Sequence, residues 1–126
     1  MAGMVTTVTP TWAVGQNMRK IVIDWVADDA SAEPANGVTP VIDGWLHRVS
    51  VVPDGVLPFT NNVVHFVISD SDGATINTGT ELDNIANGVT TSWVPEPIPV
   101  MGALTVRVQN NAVNSGKCKM ILYVSK

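Results

Sequence analysis

The chain has 126 residues, of which 45% are apolar and 14% charged, with a net charge of -4 at pH 7. That length suits one domain burying roughly two-thirds of the surface its unfolded form exposes, and prominent Val, Thr, Asn and Gly with few charges fit an all-β domain whose surface largely meets other protein. The basic residues Arg19, Lys20, Arg48, Arg107, Lys117, Lys119 and Lys126 are scattered without a basic stripe, which excludes an obvious nucleic-acid partner.

Residues 1–18 carry no charged side chain, yet they include Pro10, Gln16, Asn17 and several threonines and lack a basic start. Neither a signal peptide nor a membrane span fits, and no membrane partner is expected. Within this stretch Met4 to Trp12 predicts a first strand, and residues 1–12, with the apolar Met4 and Val5, read as an N-terminal arm ahead of one domain over 13–126. In "MRKIVIDWVA" (18–27) Ile21, Ile23 and Trp25 alternate with Lys20, Val22 and Asp24, the period of a strand with one strongly apolar face. The acidic, turn-prone "DDASAEPANG" (28–37) predicts a long exposed loop.

"VIDGWLHRVSVV" (41–52) places Trp45, His47, Val49 and Val51 on one strand face and Leu46, Arg48, Ser50 and Val52 on the other. "NVVHFVISD" (62–70) sets Val64, Phe66 and Ile68 against Val63, His65 and Val67, so both faces are largely covered. In "TELDNIANG" (80–88) Thr80 can cap and Gly88 can end at most one short helix, of one or two turns. In "VPEPIPV" the prolines at 95, 97 and 99 put three missing N–H donors on one edge of an extended chain, which blunts that edge and leaves Glu96, Ile98 and Val100 free to pair on the other. A polyproline crossover between two sheets is the alternative. "GALTVRVQN" (102–110) and "KCKMILYVS" (117–125) predict a hairpin in which Leu104, Val106 and Val108 face Cys118, Met120, Leu122 and Val124. With no repeat and turn clusters at short intervals, the pattern is a single-domain antiparallel β-sandwich, jelly-roll or immunoglobulin-like.

Candidate chemistry is sparse. In "SDSDGAT" Asp70 and Asp72 precede Gly73, half of a calcium-loop pattern without its distant bidentate Glu, and Asp-Gly after an apolar strand is the ordinary signature of a turn. No metal site is expected. His47 and His65 lie mid-strand among apolar neighbours; if their strands pair as a hairpin the rings fall about three residues out of register, so no base stands beside a nucleophile and no catalytic residue is expected. Cys118 shares an apolar strand face and reads as a small buried hydrophobe. As the lone cysteine it cannot form an intramolecular disulfide, which excludes a cross-linked secreted scaffold and favours the cell interior or a particle assembled there. No cofactor is implied. Trp25 and Trp45 alternate with apolar partners and read as core, whereas Trp12 and Trp93 are candidates to anchor a protein interface.

Taken together, "RKIVIDWVAD", "GWLHRVSVVPDG", "VVHFVISDSDG" and the closing "PIPVMGALTVRVQNNAVNSGKCKMILYV" resemble small β-rich virion proteins of tailed bacteriophages over nearly the whole chain. The resemblance implies a head decoration or cement protein on the capsid exterior, a homotrimer whose partner is the major capsid protein. Multiplicity on the icosahedral lattice would make modest contacts strong. On this reading Trp12, Trp93, Pro95, Pro97, Pro99, Met4 and Val5 are the expected protein-interface residues. A tail or head-tail connector component is the alternative within the particle. A glycan- or receptor-binding module, using exposed tryptophans and the acidic loop at Asp28, Asp29 and Glu33, is the alternative from another class, and a hydrolase is a distant third.

Overall fold

The computed structural model describes residues 4–12, 18–32, 34–56, 64–77, 81–82, 89–111 and 113–126. Among these the strands are β1 (Met4–Trp12), β2 (Met18–Val26), β3 (Gly37–Val38), β4 (Gly44–Pro53), β5 (His65–Ser69), β6 (Thr91–Trp93), β7 (Ile98–Val100), β8 (Thr105–Gln109) and β9 (Lys117–Ser125). They make two antiparallel sheets. The larger runs β1-β2-β9-β4-β6, with β7 also pairing with β4; the smaller runs β3-β8-β5. The described residues contain no helix long and apolar enough to cross a membrane.

Period-two burial closes the sandwich. Ile21, Ile23 and Trp25 of β2 stand in register with Leu122, Met120 and Cys118 of β9, and Leu122 and Met120 in turn with Val49 and Val51 of β4. All are buried in one core with Phe66 and Ile68 of β5 and Leu104, Val106 and Val108 on the β8 side. Burying each such large aliphatic side chain is worth about 1.5–3 kcal/mol. The Trp25 and Phe66 rings join the sheets, with centroids 6.0 Å apart and planes tilted by 58°, a favoured aromatic geometry.

Four expectations change. Residues 102–110 and 117–125 are not a hairpin: β8 pairs with β3 and β5, and β9 with β2 and β4. Their apolar rows do face each other, but across the core rather than along a ladder. The strands carrying His47 and His65 likewise lie in different sheets. In β4 the register with β9 shifts between Leu46 and Arg48, a β-bulge that inserts one residue and reverses the alternation beyond it. Leu46, Val49 and Val51 therefore all point inward, and Trp45, expected in the core, is 44% exposed on the outer face.

The fourth change concerns 28–37, which is exposed at Asp29–Ser31 but not throughout. Ala32 is buried, and Gly37 pairs in β3 against the Ile23 and Trp25 side chains, where a Cβ would come within 2.9 Å of both. The helix expected over 80–88 lies outside the described residues except for Glu81 and Leu82, which form a turn with Leu82 buried.

The sheet edges are closed by different means. β6 and β7 lie along the same edge of β4, with Pro99 in register with Trp45 and Ile98 with Leu46. A proline inside a ladder holds its N–H-less side away from its partner, so the edge reading of "VPEPIPV" applies to Pro99 and the chain crosses sheets only afterwards, through Gly102 at φ 81°. On β1 the ladder to β2 runs unbroken from Thr7 to Trp12 with Pro10 opposite Ile21, and is shifted between Val5 and Thr7. The proline and the shift both interrupt the outer edge of that strand.

Candidate functional site

The turn 69–77 shows how local polar groups are consumed by the backbone. Ser69 bridges to Thr75, and the Asp70 carboxylate accepts the N–H groups of Asp72 (3.0 Å) and Ala74 (2.9 Å). Gly73 sits at φ 86°, a conformation costly for residues with a Cβ. Asp70 therefore shapes the turn. Beyond it Asn77, 97% shielded from solvent, accepts from the Ile68 N–H (2.8 Å) and donates to the Phe66 carbonyl (2.6 Å). Ile76 N–H adds a bond to the Ile68 carbonyl and the Phe66 N–H reaches Leu82 O. These four bonds satisfy the outer edge of β5, a role that the sequence reading missed because asparagine in a turn-rich stretch gives no sign of burial.

The two histidines stand in different sheets. His47, at the bulge, is joined through Nε2 to Ser125 Oγ at 2.5 Å. A serine on a histidine is half of a nucleophilic pair; among the described residues no carboxylate is bonded to the other ring nitrogen, and the contact ties the β4 bulge to the end of β9. His65 lies half-buried on β5 opposite Gln109. Burial pushes the Cys118 thiol up to about 12, which suppresses the thiolate needed for reactivity. No group of three or more His, Cys, Asp or Glu gathers at metal-binding distance among the described residues.

Of the residues expected at an interface, Trp93 is half-buried and packs against the core, Pro95 is half-buried, and Pro97 and Pro99 are exposed on the β6–β7 edge. Met4, Val5 and Trp12 belong to β1, whose side chains lie outside the described residues. Three of the exposed apolar side chains lie on or beside the same edge: Trp45 stands across from Pro99, with Val94 at 71% and Met101 at 76% exposure along the neighbouring segment, while Val38, Val41, Val56 and Val89 are exposed elsewhere. The signal for Trp45 was present in the sequence as the three-residue step between Leu46 and Val49.

The outer face of the large sheet overturns the scattered-charge reading. In register across β2, β9 and β4 stand Lys20, Tyr123 and Arg48; then Val22, Ile121 and Ser50; then Asp24, Lys119 and Val52. Arg48 lies over the Tyr123 ring at 5.2 Å and reaches Ser92 Oγ at 3.3 Å, while Ser50 and Ser92 share a 2.9 Å bond. Lys20, Arg48, Lys117 and Lys119 are all exposed there, with Asp24 the one carboxylate among the β2, β9 and β4 residues. Strand pairing assembles a basic face from residues far apart in sequence.

The acidic loop is built as a rigid turn. Asp28 Oδ1 accepts from Ala30 (2.7 Å) and Ser31 (2.8 Å) N–H groups, and these bonds hold its carboxyl below the usual aspartate range. Ser115 N–H bonds to the Asp28 carbonyl, and Asn111 Nδ2 to that of Ala32 at 2.6 Å. Asp29 is exposed within this turn.

No protein-family model matches the chain, and no curated protein matches it. A solved structure described as "Crystal Structure of CoII HppE in Complex with Tris Buffer" is similar at 10% sequence identity with a TM-score of 0.41, over 94% of this chain and 52% of that one. The chain thus spans about half the length of that protein. The likeness is too remote to carry an argument about function.

Proposed function

We propose that the chain is a structural protein of tailed-bacteriophage particles, a head decoration protein that assembles as a homotrimer and packs against the major capsid protein on the capsid exterior. The observation that carries this reading is the apolar stripe of Trp45, Pro99, Val94 and Met101 on an edge where proline prevents strand addition. Such a stripe loses free energy by desolvation against another protein, and Trp is enriched at the centres of such contacts. The family resemblance of the sequence adds to it.

Purified particles of the phage encoding the chain provide the test. A decoration protein is present in on the order of hundreds of copies and binds mature capsids, whereas a connector forms a ring of about a dozen. Trp45→Ala and Met101→Ala should each weaken capsid attachment while leaving the fold intact. Absence of the chain from particles, or attachment indifferent to both substitutions, would refute the proposal; sugar binding abolished by Trp45→Ala would transfer it to the glycan-binding class.

A further inference from the structure

We infer that the basic outer face of the large sheet is the seat for the acidic 28–31 turn of a second copy of this chain, in a head-to-tail contact. This deepens the trimer proposed above and rests on that reading only for closure into a ring. The argument is charge complementarity. The chain is net negative, yet along β2, β9 and β4 this face presents Lys20, Arg48, Lys117 and Lys119 against Asp24. The carboxylates Asp28, Asp29, Asp43, Asp54, Asp70 and Asp72 sit in loops at the sandwich ends, and Glu96 lies between β6 and β7 at the edge of β4. The surface of matching sign is therefore carried by the same molecule.

At the end nearest Lys117 the match extends to shape and preorganisation. The 28–31 turn is fixed by its own Asp28 bonds and by Ser115 and Asn111, so little chain entropy is lost on docking. Beside it Asp54, whose N–H bonds to Lys117 O, precedes Val56, exposed to 87%. On the receiving face the Val22 and Ile121 pair lies half-buried between the cations, an aliphatic centre that a protein loop desolvates and a phosphate backbone does not. Tyr123 is already covered by Arg48, so the ring among these cations is not open to base stacking. Face and end are different surfaces, so the contact is heterologous and forms a closed ring or an open chain.

The dimensions set the strength. Three strands of nine or ten residues make a platform of about 14 Å by about 30 Å from standard strand spacings, on the order of 400 Å², roughly half of what each partner of a stable complex contributes. A single contact is weak and electrostatically biased, so it must respond to ionic strength.

The experiment is sedimentation velocity of the whole chain at about 0.01 M and about 1 M salt, between which the Debye length contracts from about 30 Å to about 3 Å. Wild type should associate at low salt and dissociate at least about tenfold more readily at high salt. A face variant, Lys20→Glu with Lys119→Glu, and an end variant, Asp29→Lys, should each sediment as monomers; mixed, they should associate, because each then offers the other a surface of opposite sign. Should a reversal unfold the chain by circular dichroism, the neutral Lys20→Gln with Lys119→Gln form replaces it and must weaken association in the same direction. Monomeric wild type at low salt, association untouched by both variants, or no association on mixing would each overturn the inference. Capsid attachment by a monomer would sink this contact and spare the structural role; a salt-sensitive oligomer that ignores capsids would do the reverse.

Discussion

Replacing Asn77 should destabilise the fold out of proportion to the size of the side chain. Its amide oxygen accepts from Ile68 N–H and its amide nitrogen donates to Phe66 carbonyl, and both flanking side chains are fully buried. Asn77→Ala orphans one donor and one acceptor, each costing about 1–3 kcal/mol, so a loss of about 3 kcal/mol is expected. That corresponds to a fall in Tm of about 10 °C for a chain of this length, or a urea midpoint lower by about 1.5 M. Asn77→Asp adds a second handle. At neutral pH a buried carboxylate faces the Phe66 carbonyl, acceptor against acceptor, so its folded-state pKa must rise above the unfolded value of about 3.9. A raised folded pKa means stability present below about pH 4 and lost as pH climbs toward the folded value, since only the protonated carboxyl can donate to Phe66. The stability difference between Asn77→Asp and Asn77→Ala, followed by urea denaturation from pH 7 to pH 4, isolates this site from other carboxylates. It should move in favour of Asp on acidification. An Ala variant within about 0.5 kcal/mol of wild type, or a difference flat with pH, would refute the reasoning.

Three further outcomes follow from packing. Gly44→Ala should cost about 3 kcal/mol or prevent folding, because its Cβ would stand 1.9 Å from the Ser125 carbonyl oxygen, a backbone atom that cannot swing aside; urea titration measures it. Cys118, its thiol pushed up to about 12 by burial, should resist a thiol reagent at pH 8 in the native protein and react at once in denaturant, and rapid native labelling would contradict its placement. Trp25→Ala should cost about 3–5 kcal/mol, whereas the exposed Trp45→Ala should stay within about 0.5 kcal/mol, a contrast that thermal unfolding reads directly.

The strands themselves were legible wherever alternation ran unbroken. Ile21, Ile23 and Trp25, and likewise Cys118, Met120, Leu122 and Val124, carry the period of two and are buried as that period demands. Pairing was less legible. The inward rows of β8 and β9 look alike whether two strands are neighbours in one sheet or face each other across the core, so alternation alone turned a sheet crossing into a hairpin. At β4 the inserted residue at His47 left a phase break between Leu46 and Val49; reading the whole segment in one phase put Trp45 inside. The buried contributions of Ala32 and Asn77 were hidden by residue type, since small and amide side chains mark exposed turns as readily as buried ones. The basic face was illegible for a different reason: Lys20, Arg48 and Lys119 come together only through the β2-β9-β4 register, which is long-range information.

Under the proposed function, the edges and faces of this sandwich divide the work of assembly between them. An open strand edge associates through backbone groups that every protein shares, so it selects no partner and invites aggregation. Here Asn77, with Ile76 and Leu82, occupies the outer edge of β5, β3 spans two residues, Pro99 lies in the β7 edge, and Pro10 with a register shift interrupts β1. With backbone pairing suppressed on each of these, the proposed association falls to side chains, where sign of charge and apolar shape discriminate one neighbour from another. The apolar stripe along β6 and β7 and the basic face over β2, β9 and β4 are distinct surfaces of that kind. A subunit that meets one neighbour of its own kind and a second surface of another protein needs two such surfaces, and needs its edges inert so that neither contact is bypassed.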